Sequence, residues 1–371
     1  MNVLPHLDGI VTADELSATV DAIAAVQLPD GNIPWIPGDH TDPWNLVEAA
    51  MALDVGGRHA EAERAYEWLR ARQRRDGAWH AYYVGDDVKD PTLDTNVTGY
   101  IANGAWHHYL STRDRRFLDD FWPVVERATD YALDYQTETG EIAWRGDDPA
   151  DGALLTGSSS LHASLRCAIA IAEHLGHERP DWELSLGSLA IAVAHRPGVF
   201  LDKGRWAMDW YYPILGGVLR GHAAHARVAG GWKTFVVEGR GARCVSDRPW
   251  VTAAETCELV MALDAIGAHH EASELFAWVQ FLRADGGGYW TGANFEGGAF
   301  HLDGQLYPVE QPTWNSAAVV LAAHALAGDS PTSGLFRGEG LPLGLTPTEL
   351  LAAGAEIESE MATRQSRRRR A

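Results

Sequence analysis

Tyr307–Leu326 reads YPVEQPTWNSAAVVLAAHAL, a polar loop carrying Glu310 and Gln311, then Pro312, then an Ala/Val/Leu run. Proline suits a first helical turn, where no N–H partner is needed. A helix that is apolar all round belongs inside a core. The stretch therefore predicts a buried helix whose first turn opens into a polar cleft. The same order, polar mouth then apolar helix, recurs five more times upstream.

Working back along the chain, helical patterns are expected at 12–27, 43–56, 58–73, 94–110, 114–136, 158–175, 181–195, from 209, 221–237, 251–266, 269–283 and 313–326. Amphipathic helices with charges, such as EAERAYEWLRARQ, alternate with nearly uncharged ones. Connections from an apolar helix to the next amphipathic one are short, as helix hairpins require. Connections in the other direction are long, the kind that carries function in compact domains. Six hairpins ordered outer then inner close into a double ring, an all-α (α/α)6 barrel over residues 1–328. Residues 329–371 are expected to add a wrap, one helix over 346–361 and a disordered tail carrying four arginines, Arg367 to Arg370. All long loops then fall at one end.

Four outer helices run into a shared turn: QLPDGNIPW from Gln27, QRRDGAW from Gln73, QTETGEIAW from Gln136 and QFLRADGGGYW from Gln280. Such a repeat marks a supersecondary unit. Its tryptophans, Trp35, Trp79 and Trp144 among them, serve either as packing for the next hairpin or as platforms for a sugar.

Composition narrows the partners. Hydrophobic residues are 46% of the chain, enough for a sizeable core, and the formal net charge is −21. That charge disfavours nucleic acid and anionic membranes. Cys167, Cys244 and Cys257 are scattered, without a CxxC or zinc spacing, and no window reaches the ~18 apolar residues of a membrane span. A cytoplasmic protein without stable membrane insertion, metal or cofactor is expected, acting on a small-molecule substrate.

Residues within one turn of the inner-helix starts are His40 and Asp42, Asp94 and Asn96, Ser158 to Ser160, Asp209 with Trp210 and Tyr211, Asp247 and Arg248 with Trp250 and Glu255, and Glu310 with Trp314. Carboxylates that accept hydroxyls and rings that stack on C–H faces make a saccharide site. Several also read as caps: Asp42 and Asp94 as N-caps, and Thr252 with Glu255 as a capping box. Glu310 is a poor capper, which leaves it for chemistry.

The alternation resembles the six-hairpin glycosidases, notably glucoamylase-like enzymes. Leu110–Gln136, GSSSLHASLRCAIAIAEHLG (Gly157–Gly176) and VEQPTWNSAAVVLAAHAL are similar to their corresponding segments. The resemblance implies an inverting glycoside hydrolase with Glu310 as base. Its acid would come from the loop before Ser158, where Asp148, then Asp151, then Glu141 are candidates beside Asp147, and where Trp144 could desolvate a carboxyl. The family's Trp-Glu-Glu pattern is missing there. Asp209 is a further catalytic candidate. The Gln73–Trp79 turn also resembles terpenoid cyclase and prenyltransferase toroids, including prenyltransferase-like proteins of actinobacteria, which implies a prenyl diphosphate or polyprenyl-linked substrate. The DxDD motif and a zinc spacing are absent. A non-catalytic carbohydrate-binding toroid is the third reading.

Overall fold

The computed structural model describes residues 4–295, 305–328 and 330–344. The expected helix over 346–361, the arginine tail and part of the last long loop lie outside the described residues. The outer helices are α1 (Ala13–Val26), α3 (His59–Arg72), α6 (Arg115–Leu133), α8 (Pro180–His195), α10 (Gly221–Phe235) and α12 (His269–Val279). The inner ones are α2 (Pro43–Val55), α4 (Thr95–Gly99) continued by α5 (Ile101–Thr112), α7 (Leu155–Leu175), α9 (Ala207–Leu215), α11 (Ala253–Asp264) and α13 (Thr313–Ala327). Each inner helix packs on the next around the ring, and α13 returns to α2. Outer helices fill the grooves between them. The (α/α)6 barrel read from the sequence is the fold.

Burial follows composition. In α13 every residue from Asn315 to Ala325 is buried, and in α11 every residue is. In α6 one face alone is covered, led by Leu118, Phe121, Trp122 and Val125. Helix boundaries shift modestly from expectation. The second inner helix breaks at Tyr100, and α7 begins at Leu155, before Ser158. Short strands, not expected, rigidify the mouth loops: β1 (Tyr82–Val84) with β2 (Asp87–Asp90), β3 (Val236–Val237) with β4 (Gly241–Ala242), and β5 (Trp250–Thr252) with β6 (Gly292–Asn294) and β7 (Gln305–Leu306).

A belt of backbone hydrogen bonds runs around the mouth, each joining the start of one inner helix to the loop of the next hairpin. Thr41 donates to the Tyr83 carbonyl (2.7 Å), Thr95 to Trp144 (3.0 Å), Ala207 to Cys244 (2.9 Å), Ala253 to Thr291 (3.0 Å) and Thr313 to Trp35 (2.9 Å). At the remaining junction Leu201 donates to Ala153 (2.9 Å). The last of the hairpins is thus sewn to the first.

The repeated Gln turn makes a second belt among the outer helices. Gln27 Nε2 donates to Gly31 O and to Glu61 O of α3; Gln73 to Gly77 O and Val124 O of α6; Gln136 to Gly140 O and Ser185 O of α8. The turn's glycine takes positive φ and lies on the neighbouring helix so closely that a Cβ at Gly31, Gly77, Gly140 or Gly287 would sit 2.1 to 2.5 Å from a carbonyl oxygen. Gln280 departs from the pattern, accepting from Tyr289 and donating to Phe276 within its own turn.

At the closed end two hairpins repeat a sequence, MALDVGGRH from Met51 and MALDAIGAHH from Met261. Asp54 meets His59 and His108, each at 2.9 Å, and Asp264 meets His269 at 3.1 Å. Burial alone would raise the Asp54 carboxyl, but hydrogen bonds from His108 and His59, with His107 close by at 3.8 Å, hold it well below the usual range. Asp264 instead takes Arg337 (2.7 Å) from the segment after α13, and Arg166 binds the Pro342 carbonyl (2.7 Å). These contacts lay residues 330–344 across the closed end. Among the described residues no helix is long and apolar enough to cross a membrane.

Gly77→Ala should destabilise the protein by about 1–3 kcal/mol in chemical denaturation, because its φ of +99° and its 2.2 Å approach to Arg127 O both oppose a Cβ. Gly57→Ala shares a positive φ, +73°, but meets nothing within 4 Å, and should cost less.

Candidate active site

The mouth is built on helix first turns. Asp42 caps α2 through Oδ1, accepting from Trp44 N (2.7 Å) and Asn45 N (3.2 Å), and Asp94 caps α4 in the same way from Asn96 N (2.8 Å) and Val97 N (3.0 Å). In both, Oδ2 has no hydrogen-bond partner among the described residues. A cap thus uses half of each carboxyl and leaves the other half for a ligand. Each is partly open on its mouth side and closely surrounded elsewhere. That burial pushes Asp42 up to about 7, against its two backbone donors and with Asp94 adding repulsion, and pushes Asp94 up to about 6.

An aromatic wall rises beside them. Trp35 Nε1 donates to Glu310 Oε1 (3.1 Å), and Thr291 Oγ1 lies 3.5 Å from the same oxygen. The Trp35 ring stacks on His40 (centroids 5.8 Å apart, planes at 15°) and leans on Trp314 (5.7 Å). His40 in turn packs on Tyr82 at 4.4 Å, and Trp44 lies between Tyr100 (4.8 Å) and the edge of Trp314 (5.8 Å). Trp35, His40, Tyr82 and Trp314 keep part of their surface exposed, as a stacking platform must.

Below this wall lie two carboxylates absent from the sequence-based set. Glu48 of α2 accepts from Tyr100 Oη and Trp314 Nε1, both at 2.8 Å, and is pushed up to about 7 by burial. Glu258 of α11 accepts from Tyr212 Oη (2.6 Å) and Tyr211 Oη, and burial with the nearby Glu48 charge raises it well above the carboxylate range. They were visible as lone acids in the otherwise apolar NLVEAAMAL and TCELVMAL, because a buried polar residue is the informative one. Buried carboxyls at this depth also argue against the deep apolar interior that a prenyl substrate needs.

Across the mouth, Glu255 stands in the first turn of α11, 6% exposed. The expected capping box is not formed: Thr252 makes no side-chain cap and its Oγ1 is buried without a partner. The Glu255 carboxyl is therefore not spent on capping. It faces the Cys244 thiol, which burial and this carboxylate push upward. Asn315, 1% exposed, has both amide atoms buried without a partner, as do Asn96 Oδ1 and Trp44 Nε1. These are hydrogen-bonding positions that a polar ligand or water can fill.

Other expected residues stand elsewhere. Trp79 is 1% exposed and donates to Leu69 O (2.8 Å), so it packs the second hairpin. Trp210 turns outward, stacked on Phe235 at 5.4 Å with Nε1 on Arg227 O. Its neighbour Tyr211 faces inward to Glu258. Trp144 lies at the second junction under the Arg145 guanidinium, 5.5 Å away. Asp148 is exposed in the turn after it, so the burial that would equip it as an acid is absent. Asp147 pairs with Arg145 (3.0 Å) and Asp151 lies 3.8 Å from it. Glu141 sits in the Gln136 turn, bonded to Thr139 (2.8 Å). Asp209 accepts from Thr156 Oγ1 (2.7 Å) and looks onto the flank between α9 and α10. Asp247 is exposed and paired with Arg205 (3.0 Å), with Arg248 exposed beside it, while Trp250 donates to the Tyr307 carbonyl (2.7 Å) at the rim. Among the described residues no three His, Cys, Asp or Glu are grouped to hold a metal ion.

No family model matches the chain. It is 48% identical over 347 residues, 93% of this chain and 95% of the relative, to the MMP endo-(1,4)-3-O-methyl-alpha-D-mannosidase of Mycolicibacterium hassiacum. Among solved structures it is similar to a glycosidase variant in complex with glucose (TM-score 0.69, 14% identity, 85% of this chain and 96% of that one). It is also similar to the GH63 mannosylglycerate hydrolase of Thermus thermophilus (TM-score 0.64, 12% identity, 81% and 98%). At such identities the structural likeness shows the fold.

The raised Asp42 carboxyl has a consequence for stability. Its unfolded counterpart ionises near 3.8 and the folded one near 7, so its contribution is complete below the lower value and lost as pH rises to the upper. Asn caps a helix about as well as Asp. Asp42→Asn should therefore gain stability relative to the parent across that window, by on the order of a few kcal/mol, measured by urea unfolding at a series of pH values.

Proposed function

Since the chain belongs to the family of the Mycolicibacterium hassiacum endo-mannosidase, we propose that it cleaves internal (1,4) linkages of 3-O-methyl-α-D-mannose chains, with Asp42 as proton donor and Glu310 as base. The chain is a glycoside hydrolase, and the saccharide class follows from the family. The linkage and the residue roles are the proposal. The observation that carries it is Asp42, a carboxyl at the mouth whose burial keeps its proton available near neutral pH while one oxygen remains unbonded.

In this reaction a sugar ring lies along Trp35 and Trp314, where methyl ethers add apolar contact to the C–H face. Asp42 delivers its proton to the glycosidic oxygen as the bond to the anomeric carbon breaks. Glu310, positioned by Trp35 Nε1, takes a proton from a water that attacks the anomeric carbon from the opposite face. An inverting pair must stand about 6.5–9.5 Å apart to admit that water. The α linkage then yields a β product.

Asp42→Asn and Glu310→Gln should each lower kcat by about 10²–10⁴ while leaving the fold intact. In the parent, activity should decline as pH rises through about 7, where Asp42 loses its proton. Proton NMR of the first product should show the β anomer, and an α product would overturn the inverting assignment. Full turnover by Glu310→Gln, with loss in Glu255→Gln, would transfer the base role to Glu255.

A further inference from the structure

A second concavity opens at the same end of the barrel but outside the ring. The loop 197–204, the first turns of α7 and α9 and the last turns of α10 enclose a cleft of about 700 Å³. Pro197, Phe200 and Leu201 give it apolar walls, and Asp202, Lys203, Asp209 and Arg227 give it charge, the Arg227 guanidinium being tied to the Asp209 and Trp210 carbonyls. Leu201 is 37% exposed, and the Lys203 ammonium makes no hydrogen bond or ion pair among the described residues. On the α10 side lie two glycines inside the helix, where glycine is disfavoured. Gly231 is explained by packing, since a Cβ there would strike the Trp210 indole at 2.3 Å. Gly230 is not, since a Cβ there would meet nothing within 4 Å. What Gly230 preserves is the open space of the cleft.

We infer that this flank cleft is a remote subsite that holds a further stretch of the same saccharide chain, beyond the sugars at the mouth. Phe200 and Leu201 present flat apolar surface to the C–H and methyl-ether faces of the sugars. Lys203 and the Asp209 carboxylate, fixed by Thr156, meet their hydroxyls. The occupant follows from position and charge. The cleft shares Leu155 and Asp209 with the helix starts that form the mouth, and its two cations, Lys203 and Arg227, are offset by Asp202 and Asp209, a balance that in a chain of net charge −21 does not suit a polyanion. The inference rests on the endo-hydrolase reading, because an endo-acting enzyme must accommodate chain running away from the cleaved bond.

The test compares Gly230→Trp, which fills the cleft, and Lys203→Ala with the parent, using a short and a long (1,4)-linked 3-O-methylmannose oligosaccharide. Gly230→Ala, which leaves the space open, is the control. For the long substrate KM should rise about tenfold in Gly230→Trp and less in Lys203→Ala, with kcat unchanged, and the short substrate should be unaffected. An unchanged KM for the long substrate in both variants, or equal changes for both lengths, would overturn the subsite. If the parent cleaves neither oligosaccharide, the proposed endo-(1,4) reading fails, and calorimetric titration of the long one judges the cleft alone. Weaker binding by about tenfold in Gly230→Trp upholds it, and equal affinity removes it.

Discussion

The backbone belt around the mouth is the constraint on which the rest depends. Each hydrogen bond from the start of one inner helix to the loop of the next hairpin, such as Thr95 to Trp144 or Ala253 to Thr291, fixes where a first turn stands and which way it faces. Side chains from separate hairpins then share one cleft without any direct bond having to gather them. Asp42, Asp94, Glu255 and Glu310 come from four hairpins, and none of them carries the belt by its side chain. This frees the mouth side chains for chemistry.

Freed carboxyls must still be tolerated inside protein. Helix N-termini provide part of the compensation, since two backbone N–H groups and the positive end of the helix favour the charged form of Asp42 and Asp94. Burial opposes this and wins, which is why both are raised. Deeper in the barrel no helix terminus is at hand, and phenol and indole donors take over: Tyr100 and Trp314 for Glu48, Tyr211 and Tyr212 for Glu258. Trp314 thereby joins two layers. Its nitrogen is held by the lower carboxylate and its ring supports Trp35, which holds Glu310 in the upper one.

The architecture was legible because two kinds of helix and two kinds of connection alternate in register, and alternation of that sort has few packings. The Gln turn was legible as a unit, and its role as a tie between outer helices emerged only when Gln27, Gln73 and Gln136 were seen to reach across to α3, α6 and α8. The site was read less well, for a definable reason. Distance from a helix start says how far down the barrel a residue lies and nothing about its angle around the helix axis. Trp210 and Tyr211 are adjacent and face opposite ways, and Trp79, two residues after its turn's glycine, fills the core place that Ile33 and Ile142 take in theirs, while Trp35, four after its glycine, stands at the cleft. Glu48 and Glu258 escaped because the count began at the first turn. Asp148 was favoured by proximity to Trp144, a proximity along the chain that did not become burial.

The junction between Trp35 and Thr313 also bears on how the molecule is made. Thr313 Oγ1 binds the Pro34 carbonyl at 2.9 Å across 279 positions of sequence, among the most distant partners that a chain this size can bring together. A nascent polypeptide leaving the ribosome can assemble hairpins one after another by local contacts, but it stays an open arc until the sixth emerges. Trp35 waits for Glu310, made 275 positions later. Catalytic competence in this design is therefore a property of the closed toroid, gained only when the sixth hairpin joins the first.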